Sequence, residues 1–382
     1  MKTVGIICEY NPFHLGHQKQ INMIRALCGE DAAIVCMMSG NFVQRGMPAI
    51  FDKSLRAKAA IDCGADLVLE LPVPYALSSA EGFAAGGVRI LSPFCDSLCF
   101  GSETGHAESL LQTARALLSD QFPVYLRTEL DSGKSFPAAR QSAMSKMGLD
   151  STLLERPNDI LAVEYCKAIL SQNSTMSPMP IIRQGNYHDA APDPENPSAT
   201  AVRTLIANAH DWKSCIPEAA HSTFDGATVH TIEAGERAIL ARLRTMSDED
   251  YASLPYGSEG LWRKLMHTAR REATLEDILT ATKSKRYTRS RLDRMVMCAY
   301  LGITEDQMNA PIPYVRVLGF SERGIPVLKK ARETGIFPHI GEKTGHSYEV
   351  LERRCDDLYS LFSVDSPSPA GISESRRVYF PK

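Results

Sequence analysis

Residues 3–17, TVGIICEYNPFHLGH, set two histidines and a glycine where a short apolar run gives way to a helical pattern. Thr3 to Cys8 is rich in β-branched side chains and predicts a buried first strand. Past the histidines, Ile21, Ile24, Leu27 and Cys28 recur at three- and four-residue spacing and predict the inner face of a first helix. A helix start offers unpaired backbone N–H groups and the positive end of its dipole, so it attracts phosphate. Gly16 has no Cβ and permits close approach. His14 and His17 share one helix face, from which two imidazoles can donate to a polyphosphate and stabilise charge as phosphorus is attacked.

The next stretches repeat the alternation. Apolar runs at 32–38, 66–71, 97–100 and 179–183 predict strands, with helical patterns between them, which is the order of an α/β fold with a parallel sheet. Ala84, Ala85, Gly86 and Gly87 predict a helix packed tightly on that sheet. Open α/β sheets bind ligands beyond the carboxyl ends of their strands, where the loop Ser39–Gly46 and the turn Gly101-Ser102-Glu103 fall. Arg156-Pro157-Asn158 opens a further helix, with Asn158 as its candidate cap. Ser198-Ala199-Thr200-Ala201-Val202-Arg203 leads into another, and its hydroxyls and arginine form a second phosphate-binding arrangement. Gly133-Lys134-Ser135 is not a P-loop, because Thr128 stands where the first glycine is required.

With 382 residues, two or three domains are expected. The net charge of −3 excludes a bulk polycation, so nucleic-acid binding must come from a local patch. One exists at 283–294, KSKRYTRSRLDR, inside a mainly helical stretch: Lys283, Lys285, Arg286, Arg289, Arg291 and Arg294 stand against Asp293 alone, with Tyr287 among them. One sign of charge with an aromatic fits contact with a phosphate backbone. Residues 312–331 predict a small β-turn-α unit, and 363–369 a loose loop. The ten cysteines are scattered; Cys95 and Cys99 lack the second pair a zinc site needs. Free cysteines in apolar runs suit a reducing cytoplasm, and no run approaches the length of a membrane span.

HLGH at 14–17 resembles the HxGH signature of the nucleotidyltransferase superfamily, and its context, ICEYNPFHLGHQKQI, is similar to the bacterial tRNA(Met) cytidine acetate ligases. The likeness continues through Asp52-Lys53-x-x-Arg56, the PN-x-IL segment at 157–161, Tyr187-His188-Asp189, the S/T-x-x-R element ending at Arg203 and RVLGF at 316–320. It implies a Rossmann-like catalytic domain over about 1–215 and a mainly helical, tRNA-binding region over 216–382. In the family's reaction acetate attacks the α-phosphate of ATP, and the resulting acetyl-adenylate acylates the N4 amine of the wobble cytidine in elongator tRNA(Met). His14 and His17 would be catalytic. The ATP contacts implied are Ile7, Cys8, Glu9, Tyr10, Asn11, Pro12, Phe13, His14, Gly16, His17, Gln20, Gly101, Asn158, Arg183, Thr200 and Arg203. Asn41, Gln44 and Arg45 are candidates for the acetate and substrate side. Mg²⁺ is expected with ATP, and no carboxylate pair in the sequence names its ligands. Taken without the resemblance, the residues support a narrower statement: a protein that binds a nucleoside triphosphate at two helix starts and carries a basic patch elsewhere. A small-molecule nucleotidyltransferase and a non-catalytic tRNA-binding protein are the two rivals; the patch speaks against the first, and intact His14, Gly16, His17 and Arg203 against the second.

Overall fold

The computed structural model describes residues 1–182, 197–335, 346–371 and 377–381. Its framework is a six-stranded sheet in the order β7-β6-β1-β2-β5-β8. The strands are β1 (Thr3–Cys8), β2 (Ala33–Ser39), β5 (Leu67–Leu71), β6 (Ser97–Ser102), β7 (Ser177–Ile182) and β8 (Val317–Phe320); β3 (Phe42–Val43) and β4 (Met47–Pro48) form a separate small hairpin. All neighbours in the large sheet run parallel except β8, which is antiparallel to β5. β1, β2 and β5 are buried along their whole length, as strands covered on both faces must be.

Alternation along the strands builds two core layers. Ile7, Val35, Met37 and Leu69 point into one, against Phe83, Ala84 and Val88 of the helix Ala80–Leu91 and Ala162 and Cys166 of the helix Pro157–Ser171. The close packing expected of residues 84–87 is therefore present. Val4, Ile6, Cys8, Ile34 and Cys36 point into the other layer, against Ile21 and Ile24 of α1 (Leu15–Cys28) and Ala57, Ala60 and Ile61 of α2 (Lys53–Asp62). Leu27 does not share that inner face: it is 66% exposed, while Ile21, Ile24 and Cys28 face the core.

The strand order reverses at β1. From there the chain first builds outward through β2 and β5, then returns to place β6 and β7 on the other side. The crevice at such a switch point is where an open α/β sheet accepts a ligand, and the HLGH segment sits at that end of β1.

Residues 232–312 and 348–362 form a helical layer with its own apolar core, including Ile239, Leu243, Leu265, Ile278, Met295 and Leu351. The layer is not separate from the sheet. The β-turn-α unit expected at 312–331 is β8 followed by the helix Gly324–Arg332, and β8 is the edge strand beside β5. No helix among the described residues is long and apolar enough to cross a membrane.

Candidate active site

A cleft of about 750 Å³ opens at the carboxyl ends of β1 and β6. This volume lies within the range of small-molecule and cofactor sites. Its lining draws together segments far apart in the chain: residues 6–11, His14, Gly16, His17 and Gln20; Gln44 and Arg45; Gly101; Asn158; and Ser198 to Thr200 with Arg203.

The histidines occupy the start of α1. His14 is the N-cap, and its Nδ1 accepts the Gly16 N–H at 3.1 Å, while His17 Nδ1 accepts the His14 N–H at 3.2 Å. Each imidazole thereby closes a helix-start donor, a reciprocal cap built from rings in place of the usual hydroxyl and carboxylate. With Nδ1 accepting, the proton of each neutral ring lies on Nε2, so both rings present an N–H donor. The rings stack with centroids 3.8 Å apart, and Tyr10 meets His17 edge-on at 4.8 Å. Here the structure refines the expectation, since the Gly16 amide serves His14 and the donors at this helix start are the imidazoles. Gly16 has a second reason to be glycine: a Cβ there would lie 2.9 Å from His14 Cε1 and displace the ring.

The second helix start, Ala199–Ala207, meets the first. Its cap is Ser198, whose side chain accepts the Ala201 N–H. Arg203 reaches back to donate to the Asn11 carbonyl at 2.9 Å and to Thr200 Oγ1 at 3.0 Å, so its guanidinium joins the two helix starts. Asn11 Oδ1 in turn accepts the Ile50 N–H.

Other expected residues have different local roles. Asn158 is not the cap of its helix, because Pro157 already occupies the first helical position. The Glu103 carboxylate caps that helix from the end of β6, accepting from the N–H groups of Asn158 and Asp159 and from Asn158 Nδ2 at 2.7 Å. Gln44 lines the cleft and donates its N–H to Glu9 Oε1 at 2.7 Å, and Arg45 is exposed at the cleft. Asn41 is not brought to the cleft. It is 3% exposed and bonds to Asp356 Oδ1 and the Lys53 N–H. Pro12 and Phe13 support the loop from beneath and are buried. Cys8 reaches the cleft, but burial pushes its thiol well above the ordinary range, so it is no thiolate nucleophile. Arg183, His188 and Asp189 lie outside the described residues.

Sequence reasoning missed the work of Arg56. It is fully buried and donates to the carbonyls of Glu9 (2.6 Å), Ser39 (3.2 Å), Phe51 (2.8 Å) and Gly40. One guanidinium thus locks the loop after β1 to the loop after β2. Its place in the Asp52-Lys53-x-x-Arg56 resemblance was the available signal.

The 283–294 run changes most in three dimensions. Arg289 pairs with Glu276 at 2.7 Å and Asp293 at 2.8 Å, and Arg286 with Glu259 at 3.2 Å. Arg291 donates to the Tyr256 carbonyl and Ser258, and Arg294 is buried with Nη1 directed at the Gln44 carbonyl. The single sign of the run is therefore offset by acids from other segments, and Lys283, Lys285 and Arg286 are its exposed cations. The helix Arg289–Leu301 also buttresses the β3–β4 hairpin. Gly46 has φ +76°, and a Cβ on it would fall 2.5 Å from the Arg294 backbone nitrogen.

No cluster of three or more His, Cys, Asp or Glu side chains suited to a metal occurs among the described residues. Among the described residues, the carboxylates that line the cleft are Glu9 and Glu233, and Glu9 Oε1 already accepts from Gln44. The described residues of the cleft do not by themselves make a protein-held Mg²⁺ site.

Comparison with known proteins agrees with this geometry. Residues 1–370 match the profile of the family described as HIGH Nucleotidyl Transferase. The tRNA(Met) cytidine acetate ligase of Clostridium acetobutylicum is 34% identical over 95% of this chain and 96% of its own, and that of Alkaliphilus metalliredigens is 35% identical over 89% and 87%. Thermotoga maritima TmcAL in its apo crystal form superposes with a TM-score of 0.90 at 31% identity, covering 100% of this chain and 99% of its own. The same protein bound with alpha-thio ATP gives 0.87 at 30% identity, with the same coverage.

Proposed function

The chain belongs to the tRNA(Met) cytidine acetate ligase family of HIGH nucleotidyltransferases, and from that membership we propose how its cleft carries out the ligation. The enzyme uses ATP and acetate to acetylate the N4 amine of the wobble cytidine of elongator tRNA(Met), through acetyl-adenylate, releasing pyrophosphate and AMP. The observation that carries this reading is the meeting of two helix starts, HLGH and Ser198–Arg203, in one cleft at the sheet's switch point.

ATP lies along that edge. The Nε2–H groups of His14 and His17 donate to the α-phosphate as acetate attacks and charge builds on its oxygens. Thr200, Arg203 and the first amides of the Ala199–Ala207 helix hold the departing pyrophosphate. Residues 7–11, Gln20, Gly101 and Asn158 hold the remainder of the nucleotide, with Arg183 supplying a further cation. Most of the rate comes from donors fixed in advance of the reaction and from positioning of the two reactants. Mg²⁺ accompanying ATP would offset phosphate charge, and no described residue is assigned to hold it. Gln44 and Arg45 face acetate. The RNA backbone meets Lys283, Lys285 and Arg286, while Arg289, Arg291 and Arg294 hold the helical layer in place behind them. The reaction takes place in the cytoplasm.

The test is pyrophosphate–ATP exchange by the purified protein, with and without acetate and tRNA. Acetate-dependent exchange, followed by mass spectrometry showing one acetyl group on the wobble cytidine of tRNA(Met), is the expected result. Exchange driven by a phosphorylated small molecule in place of acetate, with no affinity for tRNA in a salt series, would identify a small-molecule nucleotidyltransferase instead.

A further inference from the structure

The cleft is lined by two chemically different sets of residues. The sheet edge supplies His14, His17, Lys19 and Arg203, which suit phosphate. The helical layer supplies His230, Thr231, Ile232 and Glu233, and its charged member is a carboxylate. Glu233 is exposed in the first turn of the helix Ile232–Thr245, just past its cap Thr231. A carboxylate repels the polyphosphate held at the sheet edge, so it faces a group of another kind. Glu9, the second carboxylate of the lining, is committed to the Gln44 N–H, and its carbonyl is held by Arg56.

The turn that carries Glu233 is fixed to the nucleotide loop. His230 donates its N–H to the Ile50 carbonyl at 2.9 Å, and the Ile50 N–H donates to Asn11 Oδ1 at 2.8 Å, three residues before His14. Thr231 N–H donates to the Phe362 carbonyl at 2.9 Å. The His230 ring stacks on Tyr359 at 4.1 Å, and the Tyr359 hydroxyl donates to the Ala49 carbonyl. A short chain of hydrogen bonds therefore sets Glu233 relative to the site of adenylate formation, as a reacting group requires.

Resting on the function proposed above, we propose that Glu233 is the catalytic acceptor of the cytidine N4 proton. A carboxylate oxygen is the natural partner of the cytosine N4–H₂ donor. The N4 lone pair attacks the acetyl carbonyl carbon, and a C–N bond forms. The carbonyl C–O bond to the phosphate breaks, and AMP leaves with the electron pair. One N4 proton passes to the Glu233 carboxylate and then to water. The first half-reaction, at the sheet edge, does not involve it.

The experiment separates the two half-reactions with full-length protein, labelled acetate and a tRNA(Met) transcript. Glu233→Gln keeps acetate-dependent pyrophosphate exchange within about twofold, while single-turnover acetyl transfer falls roughly 100-fold, the usual weight of a positioned general base. Glu233→Asp recovers part of the loss, and tRNA affinity stays unchanged in both. Transfer at the wild-type rate in Glu233→Gln overturns the proposal. So does a loss of exchange equal to the loss of transfer, or a defect confined to tRNA KM. Absence of acetate-dependent exchange in the wild-type protein overturns the underlying function instead, and this proposal with it.

Discussion

At the scale of single residues, the site depends on side chains whose polar atoms are already assigned before a ligand arrives. His14 and His17 each spend Nδ1 on a backbone N–H, which fixes the tautomer and leaves the proton of each neutral ring on Nε2. Replacing His17 by Ala removes the partner of the His14 N–H and, in the proposed mechanism, one donor to the α-phosphate. Exchange should fall roughly 100- to 1,000-fold, the loss typical of one oxyanion donor, while a tRNA gel shift is unchanged. Equal loss of both would end the division of labour between sheet edge and helical layer. Gly16→Ala acts on the same ring from outside, since the new Cβ meets His14 Cε1 at 2.9 Å. Its expected signature is a fall in kcat for exchange with a native circular dichroism spectrum. Arg56 is the third case. Lys at 56 keeps the charge but has one compact ammonium for carbonyls on residues 9, 39, 40 and 51. Hydrogen bonds from a charged donor contribute about 1.5–3 kcal/mol each. Arg56→Lys should therefore lower Tm and raise the KM for ATP together; a variant with wild-type KM would show that the clamp does not shape the nucleotide loop.

At the scale of elements, what the sequence reveals depends on whether the partner is local. The first strand, the first helix and the S/T-x-x-R helix start are legible because their periodicity, caps and glycine are contiguous. The cap of the Pro157–Ser171 helix is not, because Glu103 lies 55 residues away from Asn158 and arrives through sheet pairing. The basic run misleads for the same reason. Its neutralising acids, Glu276 and Glu259, belong to other segments, and only packing shows that Arg294 is buried. This sorting has a measurable consequence. Phosphate contacts release counterions, so each contact removed lowers the salt slope of tRNA binding by about one. Lys283→Ala and Lys285→Ala should reduce that slope with no change in Tm. Arg294→Ala should instead lower Tm, because it uncovers a buried site behind the β3–β4 hairpin. A salt slope that responds only to Arg294 would restore the run as read from sequence.

At the scale of the whole molecule, the chain returns to its beginning. β8 completes the sheet beside β5, and a buried charge cluster fastens the late helix Ser347–Tyr359 to that sheet. Lys53 Nζ pairs with Glu70 at 2.9 Å and Asp356 at 2.7 Å, and Arg316 pairs with Glu70, Glu352 and Asp356. Lys53 and Asp356 stand 303 residues apart, so no local pattern in the sequence reveals the cluster. Three acids face two bases here, so one carboxyl holds its proton most readily. Burial first, then the Glu70 carboxylate, raises Glu352 to about 7 from an ordinary 4.5, although Arg316, Lys53 and the Tyr314 hydroxyl pull it back. The sign follows from linkage. The folded state keeps this proton up to about pH 7, whereas the unfolded chain releases it near 4.5. The contribution is complete below the lower value and is lost as pH rises through the upper one, with a ceiling of about 3 kcal/mol. Glu352→Gln cannot release a proton, so the difference in unfolding free energy between it and the wild type should shift in favour of the variant between pH 5 and pH 8, in urea titrations at fixed ionic strength. A difference that is flat across that interval would mean that Arg316 holds Glu352 ionised throughout, and that the late helix is fastened to the sheet by a balanced ion-pair network with no proton in it.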